Sequence, residues 1–198
     1  MPFTHKIVWI SDLHQTVSGQ VEGVNSRARL HQVVEQVNAH HADALCCVAS
    51  GDLCDTGTAE EYTVLSKALS DLRVPFLPMI GNHDNRPNMM AALPRPGTGP
   101  EGYYQYRHDL DANVTLLCLD THLPGSDAGQ MDSARLDWLA SELEQTRQAR
   151  DRMTTKDRGY NKVYWLFSDC GIEKDIYKVV NNKKNYTLSH FKKDLLSL

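Results

Sequence analysis

Ala44-Leu45-Cys46-Cys47-Val48-Ala49-Ser50-Gly51-Asp52-Leu53-Cys54-Asp55 decides the fold. An unbroken apolar run of strand length, closed by a glycine, is a strand buried on both faces, as in a parallel sheet. The run ends on carboxylates. In open parallel sheets, ligands gather beyond the carboxyl ends of the strands. Two further apolar runs end the same way. Ile7-Val8-Trp9-Ile10 leads to Asp12-Leu13-His14, and Val74-Pro75-Phe76-Leu77-Pro78-Met79-Ile80 leads to Gly81-Asn82-His83-Asp84.

Helical periodicity fills the gaps between these runs. From Arg27, apolar residues fall at Leu30, Val33, Val34 and Val37, the i, i+3, i+4, i+7 spacing of a helix face. Asn25 or Ser26 caps it. Thr58–Leu72 repeats the pattern through Tyr62, Leu65, Leu69 and Leu72, with Thr58 and Glu61 as a capping box. The β-α-β-α-β order predicts a parallel sheet of an α/β protein. Pro75 and Pro78 are unusual inside a strand and suit an edge. Asn88–Gly102 reads as a loop, Tyr103–Arg107 and Asn113–Leu119 as a strand pair, Ser133–Leu143 as a helix and Val163–Phe167 as a strand.

The three clusters carry hard ligands and proton carriers. A two-metal phosphoesterase needs oxygen and imidazole donors on cations roughly 3.5–4 Å apart. Alternation places Asp12 and His14 on one side of a strand end, within reach of one metal. Asp52 follows a glycine that permits a sharp turn, and suits a bridge between both metals. Asn82 offers an amide oxygen to the second. His83 is then free to meet substrate, and Asp84 to fix the His83 tautomer.

These residues resemble the calcineurin-like metallophosphoesterases, and most of all the bacterial branch of class III cyclic-nucleotide phosphodiesterases and glycerophosphodiesterases. The matching motifs are Asp12-x-His14, Gly51-Asp52-x-x-Asp55 and Gly81-Asn82-His83-Asp84. Asn25-x-x-x-Arg29-Leu30, Gly57-x-x-Glu60-Glu61-Tyr62, Arg86, Leu119-Asp120-Thr121-x-x-Pro124-Gly125 and Leu136-x-Trp138-Leu139 extend the match over roughly Lys6 to Gln145.

The resemblance implies a four-layer α-β-β-α sandwich whose C-terminal half is incomplete or replaced. It implies two metal ions, iron, manganese or zinc. Asp12 and His14 bind the first metal, Asp52 bridges, Asn82 binds the second, and a metal-activated hydroxide attacks phosphorus. His83 stabilises developing charge or protonates the leaving group, and Asp84 belongs with it in the catalytic set. Arg86 and His122 are the candidate substrate contacts. The substrate is a 3',5'-cyclic nucleotide or a small glycerophosphodiester.

The family's later His-His and Gly-His-x-His motifs are not found after Gln145, where His190 is the only histidine. By position, Ser168, Asp169 or Cys170 stands where a ligand belongs; Asp169, and after it His190, are the candidate substitutes, against the reading of a foreign tail that merely covers exposed sheet. Composition breaks at the same place. Net charge is −8 up to Arg150 and +4 from Asp151 onward, where the chain has eight lysines but no alanine or proline. The expected organisation is therefore a 1–150 core and a 151–198 tail, with one strand and a helix in the tail. Two readings stay open: a working phosphodiesterase, or a catalytically impaired remnant or binding module that keeps part of the metal site. A homodimer in which a second chain completes the site is a third.

The remaining features are bland. A net charge of −4 over 198 residues argues against a nucleic-acid partner. No apolar run has transmembrane length, and Met1-Pro2-Phe3 begins no signal peptide. Five cysteines, two adjacent in a buried strand, fit reduced thiols and a cytoplasmic setting. His31, His40, His41, Lys183-Lys184 and Lys192-Lys193 read as solvated faces. Cys54 packs, and Asp55 braces its own loop.

Overall fold

Three short strands, β1 (Ile7–Ile10), β2 (Cys46–Ala49) and β3 (Phe76–Pro78), pair in parallel in the order β1-β2-β3. Helices α1 (Ser26–His40) and α2 (Ala59–Leu69) connect them. The computed structural model describes residues 6–111, 114–151 and 162–166. Every residue of β2 is fully buried, as its continuous apolar run predicts. β2 and β3 are shorter than their apolar runs, and at β3 the reason is visible. Pro75 and Pro78 have no N–H to give, so they serve as acceptors. The Pro75 carbonyl takes Cys47 N–H at 2.8 Å, and the Pro78 carbonyl takes the Tyr106 hydroxyl at 2.8 Å.

Capping sets the helix starts. Asn25 accepts from Ala28 N at 2.8 Å. Thr58 and Glu61 form the predicted reciprocal box, at 3.3 and 3.2 Å. One helix is absent from the sequence reading. Within the stretch expected to be a loop lies most of α3 (Arg86–Ala92), capped by Asn85 on Asn88 N at 3.1 Å, with Pro87 in its first turn. Seven residues are too few to show a helical apolar stripe. The cap and the proline were its only signal.

The second sheet holds β4 (Tyr106–Asp109), β5 (Val114–Cys118) and β6 (Lys162–Leu166) in the order β4-β5-β6. β4 and β5 are antiparallel, while β6 joins β5 in parallel. Helix α4 (Ser133–Asp151) lies between β5 and β6 in the chain. The helix expected within 151–198, and Ser168, Asp169, Cys170 and His190, lie outside the described residues.

The sheets pack face to face. Cys46, Val48 and Leu77 of the first share one core cluster with Tyr106, Leu116 and Cys118 of the second. Cys47 points the other way and packs with Val33 and Val37 of α1. On the far side of the second sheet, Arg107 pairs with Glu142 of α4 at 3.2 Å. The layers therefore run helix, sheet, sheet, helix. Each large side chain buried in these interfaces contributes about 1.5–3 kcal/mol.

The parallel order places the three polar clusters at one edge of the first sheet. The loops after β1 and β2 continue to pair there: His14 N donates to Asp52 O and Gln15 N to Leu53 O, each at 3.0 Å. Gly51 makes the crossing possible. Its φ is +106°, and a Cβ there would lie 2.9 Å from Gly81 Cα. Gly51→Ala is expected to lower unfolding free energy by about 1–3 kcal/mol. The check is a urea titration, with a lower midpoint and an unchanged slope.

Candidate metal centre

Asp12, His14 and Asp52 bring one potential ligand atom each within 4.8 Å of one another. Strand alternation was the argument for Asp12 with His14, and a glycine turn the argument for Asp52, but the backbone achieves the grouping differently. Asp12, His14 and Asp52 have φ of +55°, +39° and +51°, in the left-handed region. Among the described residues only one other non-glycine, Glu22, shares that region. Such conformations cost on the order of 1–3 kcal/mol each and gather at functional sites. Here the sharp turns aim three side chains into one space beyond the sheet.

Hydrogen bonds choose which atoms face that space. His14 Nδ1 lies 3.1 Å from Asp55 Oδ1. With Nδ1–H given to the carboxylate, Nε2 keeps its lone pair for a cation, the usual arrangement of a ligating histidine. Asp52 accepts His83 N–H on Oδ1 at 3.0 Å, and among the described residues its other oxygen has no hydrogen-bond donor. Asn82 donates Nδ2–H to Asp127 at 3.3 Å, so among the described residues its amide oxygen is the unengaged end. Oxygen and imidazole donors of this kind suit borderline divalent cations, and the residues fit a metal centre.

A second group, His14, Asp55 and His83, is equally close. It is a hydrogen-bonded relay instead. The Asp55 carboxylate holds His14, and the Asp55 carbonyl accepts from His83 Nδ1 at 2.8 Å. The two rings meet edge to face with centroids 4.6 Å apart. Asp55 therefore does more than brace its own loop. The bond to its carbonyl raises the His83 pKa above the ordinary imidazole value, and the charges of Asp52, Asp55 and Asp127 add to the rise.

Asp84 corrects the sequence reading. It does not touch the His83 ring. Its buried carboxylate accepts the N–H groups of Leu53, Cys54 and Gly81 at 3.2, 3.2 and 2.9 Å, and the Tyr62 hydroxyl at 2.8 Å. Burial pushes its pKa up, and these four donors oppose the push. The same Tyr62 hydroxyl accepts Asn85 N–H at 3.1 Å. Asp84 is thus the anchor of two ligand-bearing loops, while the Asp55 carbonyl sets the His83 tautomer.

Arg86 is a second correction. Its guanidinium pairs with the fully buried Asp120, with Nε at 2.6 Å and Nη2 at 2.9 Å, so these two nitrogens hold the scaffold. His122 is also buried, although it lies within the electrostatic reach of Asp52. Asp120, Arg135 and Asp127 escaped the sequence reading as site components. A carboxylate two residues beyond a buried strand and an arginine in an amphipathic helix carry no local signal of their partnership. Cys54 packs as expected. Burial pushes its thiol up, that of Cys46 to about 11, and those of Cys47 and Cys118 to about 12. These thiols stay protonated and are poor ligands.

A family model described as calcineurin-like phosphoesterase matches residues 5–191. The chain is 30% identical over 142 residues to a 3',5'-cyclic adenosine monophosphate phosphodiesterase, CpdA, of Vibrio vulnificus, covering 70% of this chain and 50% of the relative. It is 31% identical over 141 residues to a glycerophosphodiester phosphodiesterase, GpdQ, of Enterobacter lignolyticus, covering 68% and 50%. The chain spans about half the length of the curated relatives it matches. Among solved structures, a purple acid phosphatase from yellow lupin aligns over 82% of this chain and 30% of its own, with a TM-score of 0.46 and 14% identity.

The Asp84 anchor is testable by stability. Asp84→Asn turns an amide NH2 toward backbone donors and should lower unfolding free energy by about 2–4 kcal/mol. Tyr62→Phe removes one hydroxyl and should cost about 1–2 kcal/mol. Denaturant midpoints of the two variants against the wild type decide this. An Asp84→Asn midpoint equal to the wild type would refute the anchor.

Proposed function

We propose, for a chain that belongs to the calcineurin-like phosphoesterase family, hydrolysis of a small phosphodiester, either a 3',5'-cyclic nucleotide or a glycerophosphodiester. The observation that carries this reading is the convergence of Asp12, His14 and Asp52 on one point, with His83 beside them. Asp12, His14 and Asp52 would hold one cation, and Asp52 with Asn82 a second, of iron, manganese or zinc. Bound there, the metals supply Lewis acidity and activate water near neutral pH.

The side chains divide the remaining work. His83 gives Nδ1–H to the Asp55 carbonyl. Its proton for catalysis is therefore on Nε2, and the raised pKa favours the protonated ring. An imidazolium Nε2–H at this position donates to the oxygen of the departing alcohol as the P–O bond breaks, as a general acid. Asp55 orients both histidines, one through its side chain and one through its backbone. Asp127 turns the Asn82 amide. The names of the relatives support a phosphodiester substrate, in cyclic-nucleotide and glycerol forms alike.

A reading of impaired metal loading rests on donor count. Asp12, His14 and Asp52 give the first cation three protein donors, enough with water for a catalytic metal. Among the described residues, Asp52 and Asn82 give the second two. This chain is expected to retain one manganese tightly and a second weakly, as read by isothermal titration and by elemental analysis after gel filtration. Two metals retained through gel filtration would contradict this.

Activity tests the main reading. With added manganese, the protein should hydrolyse bis(p-nitrophenyl) phosphate. His83→Ala should lower kcat by about 10²–10⁴-fold with metal content unchanged. Asp52→Ala should lose metal and activity together. No turnover at any manganese concentration would favour a binding module.

A further inference from the structure

Gln15 follows His14 directly and is only 1% exposed. Its main chain is bonded twice to the loop after β2: its N–H donates to Leu53 O at 3.0 Å, and its carbonyl accepts Asp55 N–H at 3.2 Å. Its side chain reaches elsewhere. Nε2 donates to Leu13 O at 2.9 Å and to Ser26 O at 3.0 Å. One residue therefore joins the loop after β1, the loop after β2 and the first residue of α1. His14 lies inside the bracket closed between the Leu13 carbonyl and the Gln15 amide.

The bracket is built from donors. Nε2 stands against two carbonyl oxygens, so a reversed amide would set a third oxygen against both, and the orientation is fixed. Among the described residues the buried Oε1 has no hydrogen-bond partner. An under-satisfied carbonyl oxygen is better tolerated than an orphaned N–H. The position thus accepts an unpaired acceptor in return for two well-placed donors. Other side chains cannot supply them here. An ionised glutamate has no donor, asparagine is a carbon short, and lysine or arginine would bury a charge beside neutral carbonyls. The donors restrain the strained part of the loop, since His14 has a φ of +39°, a conformation that a Cβ disfavours. Gln15 also places the partner of the His14 ring. Its carbonyl holds Asp55 N–H, and Asp55 Oδ1 lies 3.1 Å from His14 Nδ1.

We propose that Gln15 is a positioning residue of the metal centre: its amide holds the left-handed turn at His14 and its main chain holds Asp55, so that His14 presents Nε2 to a cation in advance. The assignment rests on the reading of Asp12, His14 and Asp52 as a metal centre. Gln15 contacts neither substrate nor reacting atoms. Its effect falls on metal affinity, because an unbraced His14 loop must be ordered on binding and that cost is subtracted from the affinity. With metal bound, the ligands themselves hold the turn, and turnover at saturating metal depends little on Gln15.

Q15M keeps the side chain's length and removes both donors. Manganese binding to the metal-free protein is measured by isothermal titration. The manganese dependence of bis(p-nitrophenyl) phosphate hydrolysis gives the half-saturating metal concentration separately from kcat. Q15M should bind the first manganese about tenfold more weakly, or about 1.4 kcal/mol. It should raise the half-saturating concentration similarly and keep kcat at saturating metal within about threefold. Asn38→Ala is the control for a merely structural loss. Asn38 bonds Asp71 O at 2.7 Å and Arg73 N at 2.9 Å, at the opposite end of the sheet. It should lower the urea midpoint and leave manganese affinity unchanged. Wild-type affinity in Q15M, an equal loss in Asn38→Ala, or a kcat that falls more than the affinity overturns the assignment. If Q15M does not fold, nitrogen-15 NMR of the metal-free wild type at alkaline pH decides. The His14 ring should hold one tautomer, protonated on Nδ1, and a ring exchanging between tautomers overturns the assignment. A wild type that binds manganese as expected but does not hydrolyse the diester overturns the phosphodiester reading and leaves Gln15 its role. One that binds no manganese overturns both.

Discussion

One buried carboxylate organises the site end of this molecule. Asp84 gathers two backbone N–H groups from the loop after β2, one from the loop after β3, and the hydroxyl of Tyr62 from α2. A carboxylate so buried is tolerated only because four donors face it, since an unpaired buried charge would cost several kcal/mol. The consequence is geometric. Asp52 and Asn82 sit on loops from different strands, and their relative position is fixed through Asp84. The Gly51 and Gly81 backbones can then approach closely enough for His83 N–H to reach Asp52.

That anchoring helps the structure tolerate the strained turns at Asp12, His14 and Asp52. Three left-handed residues would be unstable in an isolated loop. Here the β1 loop is paired to the β2 loop by backbone bonds as far as Gln15 and Cys54, and the β2 loop is tied to Asp84. Stability from the core interface between the sheets is transferred to a rim that is itself unfavourable. A site with its ligands already aimed loses less conformational entropy when a cation or phosphate binds.

How much was legible in the sequence follows from what each signal depends on. Ile7–Ile10, β2, the Thr58 capping box and the three clusters are local patterns, and each was found where expected. The roles of Asp84, Arg86 and Asp55 were not legible, because each is set by a partner far along the chain. Asp84 follows His83 directly, which suggested contact between neighbours, yet successive side chains in an extended loop point apart. Arg86 follows the same cluster and looked free for phosphate. Its partner, Asp120, is 34 residues away, and the pairing appears only when the second sheet packs on the first. Helix α3 was hidden for a different reason: its proline and asparagine signal a loop as readily as a helix start.

The electrostatic design separates two kinds of charge. The Asp120 clamp buries a carboxylate between two guanidiniums, and Asp132 pairs with the second of them, so the charges largely cancel at the root of the His122 loop. The rim beyond it keeps Asp12, Asp52, Asp55 and Asp127, with cationic help only from histidine. A rim of this sign attracts cations and repels anions. Arg86, which opens α3, is engaged by Asp120 in holding the scaffold and does not add its charge to that rim.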